Sequence, residues 1–174
     1  LDYKLDHADA INNLLATYIK MDNRKKVLDT YHWAGAYLKK QDYKTQIKTA
    51  GYLIDSGDLN EARRILTNIS ESVPKKPPYP EYDYQLARYN KALLVRPKER
   101  KNLENALAKS QMLSGADIKQ IFGSEKAFNK FQANVYNDLG ENYYETSRTD
   151  IRAFKMFDRA AVLNPDFGKA FYNL

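Results

Sequence analysis

Asn137, Glu141 and Tyr144 are spaced i, i+4 and i+7, which on a helix puts an amide, a carboxylate and a phenol on one face. Such a face can hydrogen-bond the backbone of an extended peptide while the ring packs on one of its side chains. The catalytic inventory is poor by contrast. His7 and His32 are the only histidines and there is no cysteine. That excludes disulfides, thiolate metal sites and a cysteine nucleophile, and two histidines alone make no persuasive metal site. A glycine-rich phosphate loop, a G-x-S-x-G elbow and an H-E-x-x-H pair are all missing. The expectation is a non-catalytic segment with no cofactor and no metal. An enzymatic domain elsewhere in a longer chain is compatible with it.

Positive charge offers a second chemistry. Lys plus Arg number 28 against 22 Asp plus Glu, a formal net charge of +6. The clusters are Lys25-Lys26, Lys39-Lys40, Arg63-Arg64, Lys75-Lys76 and the run Arg96 to Lys101. A nucleic-acid footprint needs such clusters to merge into one stripe with stacking aromatics. Here they are scattered over turns and helix outer faces, so nucleic acid is the weaker expectation and a polysaccharide or other polyanion stays open.

The elements that must carry these groups are helices. The chain has 174 residues, about one ordinary domain, with 43% hydrophobic and 29% charged residues, which is globular composition. No apolar run approaches the ~20 residues of a membrane span. Ile11, Leu14, Leu15 and Tyr18 follow the i, i+3, i+4, i+7 template; Val27, Tyr31 and Ala34 form another stripe. Leu53 and Ile54 precede the turn Asp55-Ser56-Gly57-Asp58, and Ala62, Leu66 and Ile69 resume the period. Tyr82, Leu86, Tyr89 and Leu93 predict a further helix, with Leu103, Leu107 and Leu113 on its partner. Ser114 with Asp117 predicts a capping box, Thr149 or Asp150 a cap before Ile151, and Ser124 the start of one long helix. Pro74, Pro77, Pro78 and Pro80 mark a segment that is not helical. Strand-like alternation bounded by hairpin turns is absent, so the fold class is all-α.

Tyr136-x2-Leu139-Gly140-x2-Tyr143, then Ala153-x3-Phe157, then Ala160 and Pro165, set small residues where two antiparallel helices touch and large ones beside them. This pattern resembles the tetratricopeptide repeat. Looser copies run through Ala50, Leu53, Gly57, Ala62, Leu66, Ile69 and Pro74, and through Leu14, Leu15, Tyr18, Val27, Tyr31 and Ala34. A degenerate copy has Leu86, Ala87 and Leu107, with an inter-helix loop about four residues too long through Arg96–Lys101. Taking Leu15, Ala50, Ala87 and Gly140 as equivalent gives steps of 35, 37 and 53. The approximate repeats are 8–40, 41–74, 80–113 and 133–166, with irregular segments 74–80 and 110–130 and the start of a further repeat at 167–174, led by Phe171 and Leu174.

The resemblance implies a single domain over 1–174 forming a right-handed superhelix, an α-solenoid of antiparallel helix pairs, whose concave groove binds a peptide or helix of another protein. The groove-lining positions are Asn134, Asn137, Glu141 and Tyr144 in the last repeat, Tyr84, Arg88 and Lys91 in the third, Lys44 and Lys48 in the second, and Asn12 in the first. The carboxylate clamp with which some tetratricopeptide cochaperones grip a chaperone tail needs Lys and Asn where this chain has Asn12 and Ala16, so that partner is not implied. Repeats of this kind also serve as regulatory arms of larger enzymes, some glycosyltransferases among them, and in bacterial secretion and polysaccharide-export machines. A cell-envelope, periplasmic or cytoplasmic setting fits. Beginning at Leu1 rather than Met, the sequence reads as part of a longer chain.

Overall fold

The structure, a computed structural model, describes residues 7–34, 43–70, 73–76 and 78–173, and all its regular elements there are helices. The chain divides into two compact units, Leu1–Val73 and Pro74–Leu174. In the first, α1 (His7–Lys20), α2 (Arg24–Ala34), α3 (Tyr43–Ser56) and α4 (Leu59–Ile69) pack in sequence, and α1 also touches α3. In the second, α5 (Pro80–Ala92) pairs with α6 (Arg96–Gln111) and α8 (Glu125–Thr146) with α9 (Ile151–Leu163). The short α7 (Gly115–Phe122) lies on α8, and α10 (Gly168–Tyr172) on α9. The first expected repeat, 8–40, is therefore described only to residue 34, and the leading positions Phe171 (as a side chain) and Leu174 fall outside the described residues.

One positional scheme recurs in both units. Leu15, Ala50, Ala87 and Gly140 are all buried on the first helix of a pair. Twelve residues later stand Val27, Ala62 and Glu99, and thirteen later Ala153, each 1% exposed or less. Tyr31, Leu66, Leu103 and Phe157 follow four residues after these, at 3% exposed or less, and Ala34, Ile69, Ala106 and Ala160 three residues after that.

The turns repeat too. Seven residues after the first position come Asp22, Gly57 and Leu94, with φ of 48°, 85° and 58°. At each, the next amide reaches back to close the helix: Asn23 to Tyr18, Asp58 to Leu53 and Val95 to Asn90, all at 2.9 Å. Gly57 meets this left-handed backbone without strain, whereas Leu94 carries its Cβ into it.

That third turn corrects the sequence expectation. Arg96–Lys101 is not an extended loop; it is the opening of α6, and the connection is as short as in the first two pairs. Its signals were hidden: Val95 offers no side-chain cap, Leu94 replaces a glycine, and Glu99 sits where a small residue was sought. Pro80 likewise opens α5 at a position that needs no amide hydrogen, rather than lying in the irregular segment. Leu113 falls beyond the end of α6.

Gly140 answers to close approach. A Cβ there would lie 2.5 and 2.7 Å from ring carbons of Phe157, which is itself 2% exposed. Ala87, Leu103, Ala106, Val135, Leu139, Tyr143, Ala153 and Phe157 share one core cluster, and Ala133, Ala160, Ala161 and Ala170 knit α8, α9 and α10 through small residues. The capping box of Ser114 with Asp117, the cap of Asp150 on α9 and the cap of Ser124 on the 22-residue α8 form as the sequence indicates.

Candidate functional site

Within the second unit, polar positions of α5, α8 and α10 meet in one network. Glu141 is its centre. Its carboxylate accepts from Lys91 Nζ and Lys169 Nζ, both at 2.6 Å, and from Asn137 Nδ2 at 2.9 Å. Burial works against the charge, but the two lysines outweigh it and hold the Glu141 carboxyl down at about 2. Lys91 also lies 3.7 Å from Asp138, which accepts from the Tyr84 hydroxyl at 2.9 Å. Burial first, then the Asp138 charge, push the Tyr84 phenol well above its ordinary range.

Asn137 departs from expectation. Instead of facing solvent it is fully buried, donating to Glu141 and accepting from Asn173 at 3.0 Å. Its amide braces the face from within, because α10 closes over a position that a helical wheel of α8 alone leaves open. Tyr144, 42% exposed, does face outward. Asn134 is half-buried. Arg88 is half-buried, donates to Gln85 at 2.9 Å and lies 6.0 Å from the centre of the Tyr84 ring.

The remaining expected positions belong to the first unit. Lys44 is half-buried and Lys48 exposed; Asn12 is half-buried, with a buried Oδ1 that has no hydrogen-bond partner among the described residues. The structure thus joins Tyr84, Lys91, Asn137 and Glu141 in one network of the second unit.

Beside this network α8, α9 and α10 enclose a cleft of about 410 Å3 lined by Glu141, Tyr144, Glu145, Phe154, Phe157, Tyr172 and Asn173. Phe154, Tyr172 and Asn173 were missed in the sequence. Phe154 precedes Phe157 by three residues on α9 and is 39% exposed, an aromatic the packing register does not use. Tyr172, 91% exposed, is set by α10.

The segment 110–130 bounds the other flank. Phe122 of α7 lies 5.2 Å from the Phe128 ring and 5.0 Å from the Phe131 ring, and Phe131 meets Tyr84 edge-on at 5.6 Å. Tyr79, beside the prolines, is 1% exposed.

His32 is exposed and 3.1 Å from Asp58 Oδ2, an oxygen on the residue that caps α4. Among the described residues no group of three His, Cys, Asp or Glu side chains is placed to hold a metal ion, and no helix is long and apolar enough to cross a membrane. No protein-family model, no curated protein and no solved structure matches the chain.

Proposed function

We propose that this chain is a non-catalytic protein-interaction scaffold. Its helix pairs are of the tetratricopeptide kind, stack as a right-handed superhelix, and hold a segment of another protein against the face formed by their first helices. The observation that carries the reading is the recurrent scheme of buried positions and left-handed turns, at steps of 35 and 37 through Asp22, Gly57 and Leu94. Helix pairs that bury only their shared seam leave one set of helix faces for other work. On α8 that face ends in an open cleft with exposed aromatic rings, which gives a bound segment apolar area to cover.

Selection from a random dodecapeptide library tests the reading. Wild-type protein should enrich a defined peptide motif, and Tyr144→Ala with Tyr172→Ala should abolish the enrichment without lowering the melting temperature. Failure to enrich any motif would overturn the reading. So would capture that inorganic polyphosphate competes away and that falls steeply with salt, which is polyanion behaviour.

A further inference from the structure

The run Arg96 to Lys101 is a basic cluster that the inner-face reading leaves unused. Its one acid, Glu99, is 1% exposed and turned inward to Asn142. Arg96 and Arg100 are engaged with Glu99, Glu145, Asn142 and Thr146. Lys98 and Lys101, three residues apart on α6, are exposed, so the run turns positive charge outward. Directly before it, the α5–α6 turn raises Leu93 and Leu94 into solvent, 45% and 73% exposed. Leu94 also has a φ of 58°, where the turn between α3 and α4 has Gly57. A side chain there crowds its own backbone and, being exposed, adds little to the core, so folding alone favours glycine. The next turn lies alongside. Arg100 donates to Thr146 at 2.8 Å, and Arg100 and Arg152 lie 4.8 and 4.3 Å from the centre of the Tyr143 ring. The α8–α9 turn thereby adds exposed Arg148 and Ile151 to the same edge.

We propose that this edge docks the protein on an anionic lipid surface. Leu93 and Leu94 enter the boundary between headgroups and acyl chains, and Lys98, Lys101 and Arg148 meet lipid phosphates. Charge and apolar exposure select that partner together. The cations suit any anionic partner, and a soluble polyanion is served by them alone. Two exposed leucines at the tip, one in a backbone it strains, serve a partner with apolar depth behind its charge. An acidic protein would have to supply a shaped pocket for them, whereas a bilayer takes aliphatic side chains of any shape beneath its phosphates. The edge consists of turns between helices and lies apart from the helix faces assigned to the bound segment, so the two readings stand or fall separately.

The test is sedimentation of the whole chain with phosphatidylcholine vesicles, plain or carrying about a quarter phosphatidylserine. The anionic vesicles should pellet the protein and the plain ones should not. Leu94→Gly with Leu93→Ser should weaken binding about fivefold or more without lowering the melting temperature, since glycine relieves the strained turn. Lys98→Gln with Lys101→Gln should weaken it to a similar degree. Having no cysteine, the chain accepts a single thiol-linked, environment-sensitive dye. At Leu94→Cys its emission should shift to the blue on the anionic vesicles. At Met112→Cys, at the far end of α6 and 70% exposed, it should not. No binding to the anionic vesicles would overturn the proposal, and so would undiminished binding by the leucine variant, which is polyanion behaviour. An equal shift at both dye positions would overturn it as well. So would a blue shift at Leu94→Cys produced by polyglutamate in place of vesicles, which would assign the edge to an acidic protein.

Discussion

The α5/α6 pair and the α8/α9 pair fill one packing scheme with opposite chemistry. At the second helix's close-contact position the later pair has Ala153 and the earlier one Glu99, each 1% exposed or less. On the first helix the later pair presents Tyr136, Val135 and Leu139 around its contact, while the earlier one buries Glu81, Asp83 and Gln85. The polar solution works because most of its groups are answered, with Glu99 Oε1 the buried oxygen left without a hydrogen-bond partner among the described residues. Asn142 of α8 donates to Glu99 at 3.0 Å and to the Arg96 carbonyl at 3.1 Å. Arg96 reaches Glu99 at 2.9 Å, Arg100 Nε donates to the side-chain amide oxygen Oδ1 of Asn142 at 2.8 Å, and Lys109 pairs with Asp83 at 2.6 Å. Burial raises the Asp83 carboxyl even so, with Lys109 working against the rise. What the two pairs have in common is therefore position and burial, not size or polarity; a buried site tolerates a carboxylate when the neighbouring helix supplies donors.

Exchanging the two solutions breaks the comparison most severely. Ala153→Glu brings a carboxylate into a core of Leu139, Tyr143 and Phe157 in which the Tyr143 hydroxyl already donates to Glu104, and should cost about 4 kcal/mol or more in urea unfolding. A cost under ~1 kcal/mol would show the sites to be interchangeable. Glu99→Ala should cost about 2 kcal/mol, since it takes one acceptor from the buried Asn142 amide and leaves a cavity behind. Adding Asn142→Leu should recover most of that loss, because an apolar pair of similar size replaces a polar one; a strictly additive double variant would refute the coupling.

The smallest effect is in acid. The Glu141 carboxyl is held from its ordinary value of 4.5 down to about 2. A carboxylate depressed on folding stabilises fully above its unfolded value, so this contribution should fade as pH drops from about 4.5 towards 2. Glu141→Gln should flatten that limb of a stability-versus-pH curve, only modestly, because Lys91 retains Asp138 as a partner. An identical acid limb in the variant would mean that the lysines leave this carboxylate unperturbed.

The later pair was the more legible of the two, and the reason is physical. Gly140, Ala153, Phe157 and Pro165 declare close contact, filling and termination by residue type alone, and their register stands in the structure. The earlier pair sets the same backbone with Leu94 in a left-handed turn, an uncapped Val95 and a buried Glu99, none of which announces its role without its neighbours. The candidate face was legible only as a face. Tyr144 and Glu141 follow from helical spacing, but the burial of Asn137 and the aromatic cleft depend on α10 and on Phe154, contacts between elements that no single-helix period encodes.

The ring contacts from Phe122 through Phe131 to Tyr84 make one side chain of α8 the link between α7 and α5. Removing that ring should therefore loosen the insertion and the Tyr84 hydroxyl together, as drawing a shared hinge pin frees both leaves.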